Sequence, residues 1–133
     1  MIDIENIVIN TVATAVWETY PNADVSSDYD PTPSTFPCVF IYELGNTSYP
    51  ESFDDSLKEH LTNVMYQADV FALSKEDAKA IRDIVDTEML GMKFTRTYNA
   101  PTLNVDRTIK RYTLRYTAVV GELTDSKYQM YRS

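Results

Sequence analysis

Cys38 and His60 are the one thiol and the one imidazole in 133 residues, so chemistry built on a nucleophile and its base, or on a zinc set, must begin with them. Neither is well placed for it. Cys38 opens the apolar run Cys38-Val39-Phe40-Ile41-Tyr42, where a small buried hydrophobe is the better reading and nothing nearby resembles an activated thiol site. His60, at the entry to the next apolar stretch, reads as a surface or edge residue and has no second His to complete a tetrahedral site. Asp24, Ser26, Asp28 and Asp30 follow the spacing of the first four ligands of a calcium loop, but Tyr29 stands where glycine is needed and Thr35 where a bidentate glutamate is needed. Asp residues shaping turns ahead of Pro31 account for that pattern. Asp54-Asp55, and Asp83 with Asp86, would suit general acid–base work only in a desolvated cleft; beside Arg82 the second pair reads as ordinary solvent-side helix charge. Three glycines are too few and too scattered to cradle a phosphate, and Asn46-Thr47-Ser48 is a glycosylation acceptor only in a secreted chain. No catalytic, cofactor-binding or metal-ligating residue is assigned, and the chain reads as non-enzymatic.

Charge is more informative than motif. Residues 1–60 hold eleven acids and one base, whereas residues 61–133 hold nine acids and eleven bases. Arg107, Arg111 and Arg115 recur every four residues, which in a regular strand places them on one face, and Arg96 is expected to join them from a neighbouring strand. One reading is a solvated face whose arginine stems cover apolar sheet surface. The other is a contact surface for the acidic residues Glu51, Asp54, Asp55 and Glu59 of an adjacent copy. Exposed charge pairs contribute only ~0.2–1 kcal/mol each, so they set orientation more than affinity. The ten tyrosines, Tyr42, Tyr49, Tyr128 and Tyr131 among them, are the candidates for supplying affinity. On this reading, reversing Arg111 and Arg115 weakens assembly and spares the fold.

The elements that position these groups follow from periodicity. Ile4, Ile7, Val8, Val12, Ala15 and Val16 predict an amphipathic helix over 4–20, capped by Asp3 and stopped by Pro21. Four prolines over 21–37 predict an extended solvent-facing connection with room for an edge strand. A central strand is expected over 38–42, ended by Gly45-Asn46. Residues 62–72 alternate, with Val64, Tyr66, Ala68, Val70 and Ala72 on a buried face and Asn63, Gln67 and Asp69 on a mostly wet one. Ser74 and Asp77 have capping-box spacing before the helical stripe Ala78, Ile81, Val85 and Met89, with Gly91 expected as a left-handed C-cap. Strands are expected over 94–98 and 109–121, with a turn at Asn99-Ala100-Pro101. The sum is an α+β fold: a two-layer sandwich of a mainly antiparallel sheet of about four strands, with two principal helices on one face. Residues 1–121 form the single domain, and 122–133 are expected as a tail that is flexible or docks on a neighbour through Tyr128, Met130 and Tyr131.

Composition narrows the classes. Hydrophobic residues at 44% and charged residues at 24% suit a globular chain. A net charge of −8 argues against binding nucleic acid by bulk attraction. A single cysteine forbids an internal disulfide, and an acidic N-terminus with no long apolar run predicts a soluble chain of a reducing compartment, with no membrane partner.

An N-terminal helix, a Pro-rich acidic connection into Phe36-Pro37-Cys38-Val39-Phe40-Ile41, and a long strand running into Ser74-Lys75-Glu76-Asp77-Ala78-Lys79-Ala80-Ile81 lead to the closing strand Arg111-Tyr112-Thr113-Leu114-Arg115-Tyr116. This layout, over roughly residues 1–121, resembles phage tail terminator proteins, which complete the tail and join it to the head. The resemblance implies a homo-oligomeric ring, a hexamer, that sits on the tail tube protein, stops its polymerisation and offers a docking surface to the head connector. DNA would pass through the lumen without specific binding, and the chain would be assembled in the host cytoplasm into the virion neck. It carries no individual residue role across. Other neck, minor tail or head-completion proteins share the style, and a small non-enzymatic ligand- or peptide-binding module is the alternative outside that class.

Overall fold

The computed structural model describes residues 1–48, 61–124 and 127–132. Among them the chain runs α1 (Glu5–Thr19), β1 (Asp24–Ser26), β2 (Cys38–Ser48), β3 (Leu61–Ala72), α2 (Lys75–Gly91), β4 (Thr95–Thr102), β5 (Lys110–Thr124) and β6 (Lys127–Tyr131). The strands form one sheet in the order β1-β2-β3-β5-β4, with β6 also on β5. β1 is parallel to β2 and every other pairing is antiparallel. The α+β class is as expected, with six strands where about four were expected.

Each helix begins as its sequence dictates. The Asp3 carboxylate accepts the Glu5 N–H at 3.0 Å, and the Ser74 hydroxyl accepts the Asp77 N–H at 3.1 Å, so both first turns have a partner for an amide that lacks a carbonyl of its own. Ile4, Val8, Val12 and Val16 bury the α1 stripe, whereas Ile7 is half exposed; Ala78, Ile81, Val85 and Met89 bury that of α2. α2 ends differently from expectation. Gly91 is still helical, and the left-handed residue is Lys93 at φ 76°. The Lys93 N–H bonds Leu90 O at 3.1 Å and the Phe94 N–H bonds Met89 O at 3.1 Å, a Schellman ending. Burial of Phe94 against the core places that turn, overriding the cheaper left-handed geometry of glycine.

Both helices cover one sheet face. Val39 and Ile41 of β2, Val64, Tyr66, Ala68 and Val70 of β3, and Leu114, Tyr116, Ala118 and Val120 of β5 meet the helical stripes there. Phe94 stands edge-on to Tyr66 and Tyr116, with ring centroids 5.6 and 6.4 Å apart. No described helix is long and apolar enough to cross a membrane.

Three expectations are corrected. Gly45-Asn46 does not end β2: the strand absorbs a register shift between Glu43 and Gly45 and continues to Ser48, held by β3. Asn99-Ala100-Pro101 lies inside β4, an edge strand on which proline's missing N–H costs no ladder bond. The expected tail contains β6, which continues the outer edge of β5 beyond β4 and packs Tyr128 and Met130 against the core. Arg132 anchors its end to Phe94 O and Leu90 O at 2.9 and 3.1 Å.

Candidate functional site

The sheet face away from the helices carries Arg111 and Arg115, and it is not the wet surface that alternation predicts. Cys38, Phe40 and Phe71 form a second apolar cluster there, with Phe36, Tyr42 and Ile109 against it. Tyr29, from the Pro-rich connection, packs edge-on to Phe40 at 5.8 Å and lies 5.7 Å from Tyr42. Gln67 and Asp69 are buried beside this cluster.

Asp69 organises what is polar there. Fully buried, it lies opposite Phe40 of β2 and Thr113 of β5. One carboxylate oxygen accepts from Arg111 Nη2 at 2.8 Å, Arg111 Nε at 3.2 Å and the Thr113 hydroxyl at 2.9 Å. The other accepts from the Tyr42 hydroxyl at 2.8 Å and Gln67 Nε2 at 3.0 Å. Gln67 passes the network on, its Oε1 accepting from Arg115 Nε at 2.9 Å. The Arg111 guanidinium lies over the rings of Phe71 and Tyr29, 5.1 and 5.6 Å from their centroids. Burial, and then the Asp69 carboxylate, push Tyr42 well above the ordinary tyrosine pKa, so it stays a neutral donor. Both carboxylate oxygens are engaged, so the cluster is built to hold β2, β3 and β5 together. Sequence reasoning missed it, although a charged residue between Ala68 and the apolar run Val70-Phe71-Ala72 was its signal.

The expected arginine row therefore divides. Arg111 is committed inside the chain, its side chain only 18% exposed in its ion pair with Asp69. Arg111→Glu would set two carboxylates side by side in a dry site and would test folding, which corrects the expectation that its reversal spares the fold. Arg115 is exposed, reaching Gln67 and lying 5.2 Å over the Tyr98 ring, and Arg107 is exposed ahead of β5. Arg96 is on the opposite face: the register sets it against Tyr116, and it pairs with Asp86 of α2 at 2.6 Å. A shift between Arg96 and Tyr98 puts Tyr98 beside Arg115 instead. Glu51, Asp54, Asp55, Glu59, Tyr49 and His60 lie outside the described residues. Tyr131 is 46% exposed on β6, whereas Tyr128 and Met130 are partly buried.

Elsewhere among the described residues, Cys38, Asp83 and Asp86 are buried or engaged. Burial, with Asp24 and Asp30 nearby, pushes the Cys38 thiol up to about 12, so it is no nucleophile at neutral pH. Asp83 pairs with Arg82 at 2.9 Å, and Asp86 also accepts the Tyr116 hydroxyl at 2.8 Å. Among the described residues no group of three or more His, Cys, Asp or Glu is placed to hold a metal ion.

The fold does sort charge. Residues 1–48, comprising α1, β1 and β2, carry seven acids and no lysine or arginine. Residues 92–133, which include β4, β5 and β6, carry eight bases and three acids. Strand order sets these groups at opposite sides of the sheet. No protein-family model matches the sequence, and no curated protein matches it.

Proposed function

We propose that this chain is a structural subunit of a phage virion. Copies join into a ring, a hexamer by the resemblance, that caps the tail tube, ends its polymerisation and receives the head connector. The observation that supports this reading is the division of charge across the sheet, acidic on the β1–β2 side and basic on the β4–β5–β6 side. Unlike sides on one molecule favour a head-to-tail contact, and such contacts close into rings when the rotation permits. DNA passes through the lumen without being held, as a net charge of −8 allows. The function is mechanical and associative, with no bond made or broken.

Light scattering of the purified chain with and without tail tubes, alongside electron microscopy of the tubes, tests the reading. The expected result is a closed oligomer at the tube end and tubes that no longer elongate. Arg107→Glu with Arg115→Gln, which removes both charges' attraction while keeping a donor for Gln67, is expected to keep the melting temperature and reduce association at least tenfold. A chain that stays monomeric alone and leaves tube ends free and growing rejects the proposal.

A further inference from the structure

A groove of about 580 Å³ opens where the β4–β5 connection faces the start of α2. Pro101, Leu103 and Ile109 give it an apolar floor and rim, and Lys75, Arg107 and Lys110 surround it with cations. Leu103 and Val105 are almost wholly exposed, at 99% and 104%, and Leu73 at the same end of the sheet is 61% exposed. Neighbouring apolar side chains left in water beside cations that have no ion pair among the described residues mark a surface made to be covered. Asp106, the acid on the connection, accepts the Thr108 N–H and hydroxyl at 2.9 and 2.7 Å and forms no ion pair among the described residues. Arg111, also on the groove wall, is neutralised by Asp69. The groove therefore asks for an acidic segment carrying apolar side chains.

We propose that its occupant is segment 51–59 of a second copy of this chain. That segment, Glu-Ser-Phe-Asp-Asp-Ser-Leu-Lys-Glu, sets Phe53 and Leu57 among Glu51, Asp54, Asp55 and Glu59 against one lysine. Covalent reach excludes the chain's own groove. Ser48 pairs with Thr62, so 49–60 leaves and re-enters at one end of the sheet, whereas the groove lies at the other end, where Ala72 pairs with Lys110. The length of β3 separates the two by roughly 36 Å at ~3.3 Å per residue. An excursion that must return within thirteen steps reaches about 23 Å at most. Segment and groove meet only between molecules, one end of a copy to the opposite end of the next. The inference rests on the proposed reading that copies join through unlike surfaces, and it names that contact.

A fluorescent peptide of residues 49–61 is titrated into the full chain carrying Asp54→Lys and Asp55→Lys, whose own segment no longer competes. Saturable binding is expected, weakened at least tenfold by adding Arg107→Glu and Lys110→Glu and lost for a peptide with the two lysines. Lys75→Glu, in the first turn of α2 where a carboxylate is favoured, is the second groove variant and keeps the fold. In a companion arm the segment-reversed chain and the groove-reversed chain are each expected as monomers that associate when mixed, because each supplies what the other lacks. A peptide that does not bind, or binds the groove-reversed chains equally, overturns the inference, and ring formation or tube capping that persists in those variants leaves the functional reading standing. Specific peptide binding without any tube capping upholds the groove and rejects the ring.

Discussion

Asp69 occupies a position that strand alternation sends to water, yet it is dry and accepts hydrogen bonds from Tyr42, Gln67, Arg111 and Thr113. A buried carboxylate is tolerable only when its charge and lone pairs are met, and removing it strands the donors that met them. Asp69→Ala is therefore expected to lower unfolding free energy by about 3 kcal/mol, read from urea denaturation. Arg111→Met should cost at least as much, since Tyr42, Gln67 and Thr113 are neutral donors and the buried Asp69 charge loses its counter-ion. A loss below about 1 kcal/mol for Asp69→Ala would show that the cluster does not hold the strands together.

At the scale of elements, the end of α2 shows local preference yielding to packing. Gly91 is spent inside the helix, where glycine costs ~0.5–1 kcal/mol, and a Cβ added there meets nothing within 4 Å. Lys93 meanwhile holds a left-handed conformation that costs a non-glycine residue ~1–2 kcal/mol. Exchanging them, Gly91→Ala with Lys93→Gly, is expected to stabilise the chain by about 1–2 kcal/mol, with a matching rise in melting temperature. No gain would mean that the Phe94 anchor, rather than backbone strain, sets the energy of this turn.

Across the whole molecule, the acidic β1–β2 side and the basic β4–β5–β6 side make orientation depend on charge. The Debye length falls from ~10 Å at 0.1 M salt to ~3 Å at 1 M. Association by light scattering should accordingly weaken at least tenfold over that range, while circular dichroism stays unchanged. Association indifferent to salt would leave Tyr98, Leu103 and Val105, exposed on the basic side, as its source and remove charge as its director.

Periodicity made both helices, the buried alternation of β3 and β5, and the α+β class legible, because spacing within one segment determines which side chains share a face. Net charge and its asymmetry were equally plain from residue counts. The dry cluster at Asp69 was not, because its cover comes from Tyr29 in the Pro-rich connection and its counter-charge from β5, contacts that no local window contains. The same cause explains the other departures. Pairing with β3 carried β2 through Gly45-Asn46, pairing with β5 carried β4 through Pro101 and drew β6 out of the supposed tail, and register turned Arg96 toward α2 while Arg111 turned inward. Local chemistry wrote the elements; long-range pairing chose which faces are dry and which arginines remain free to meet another molecule.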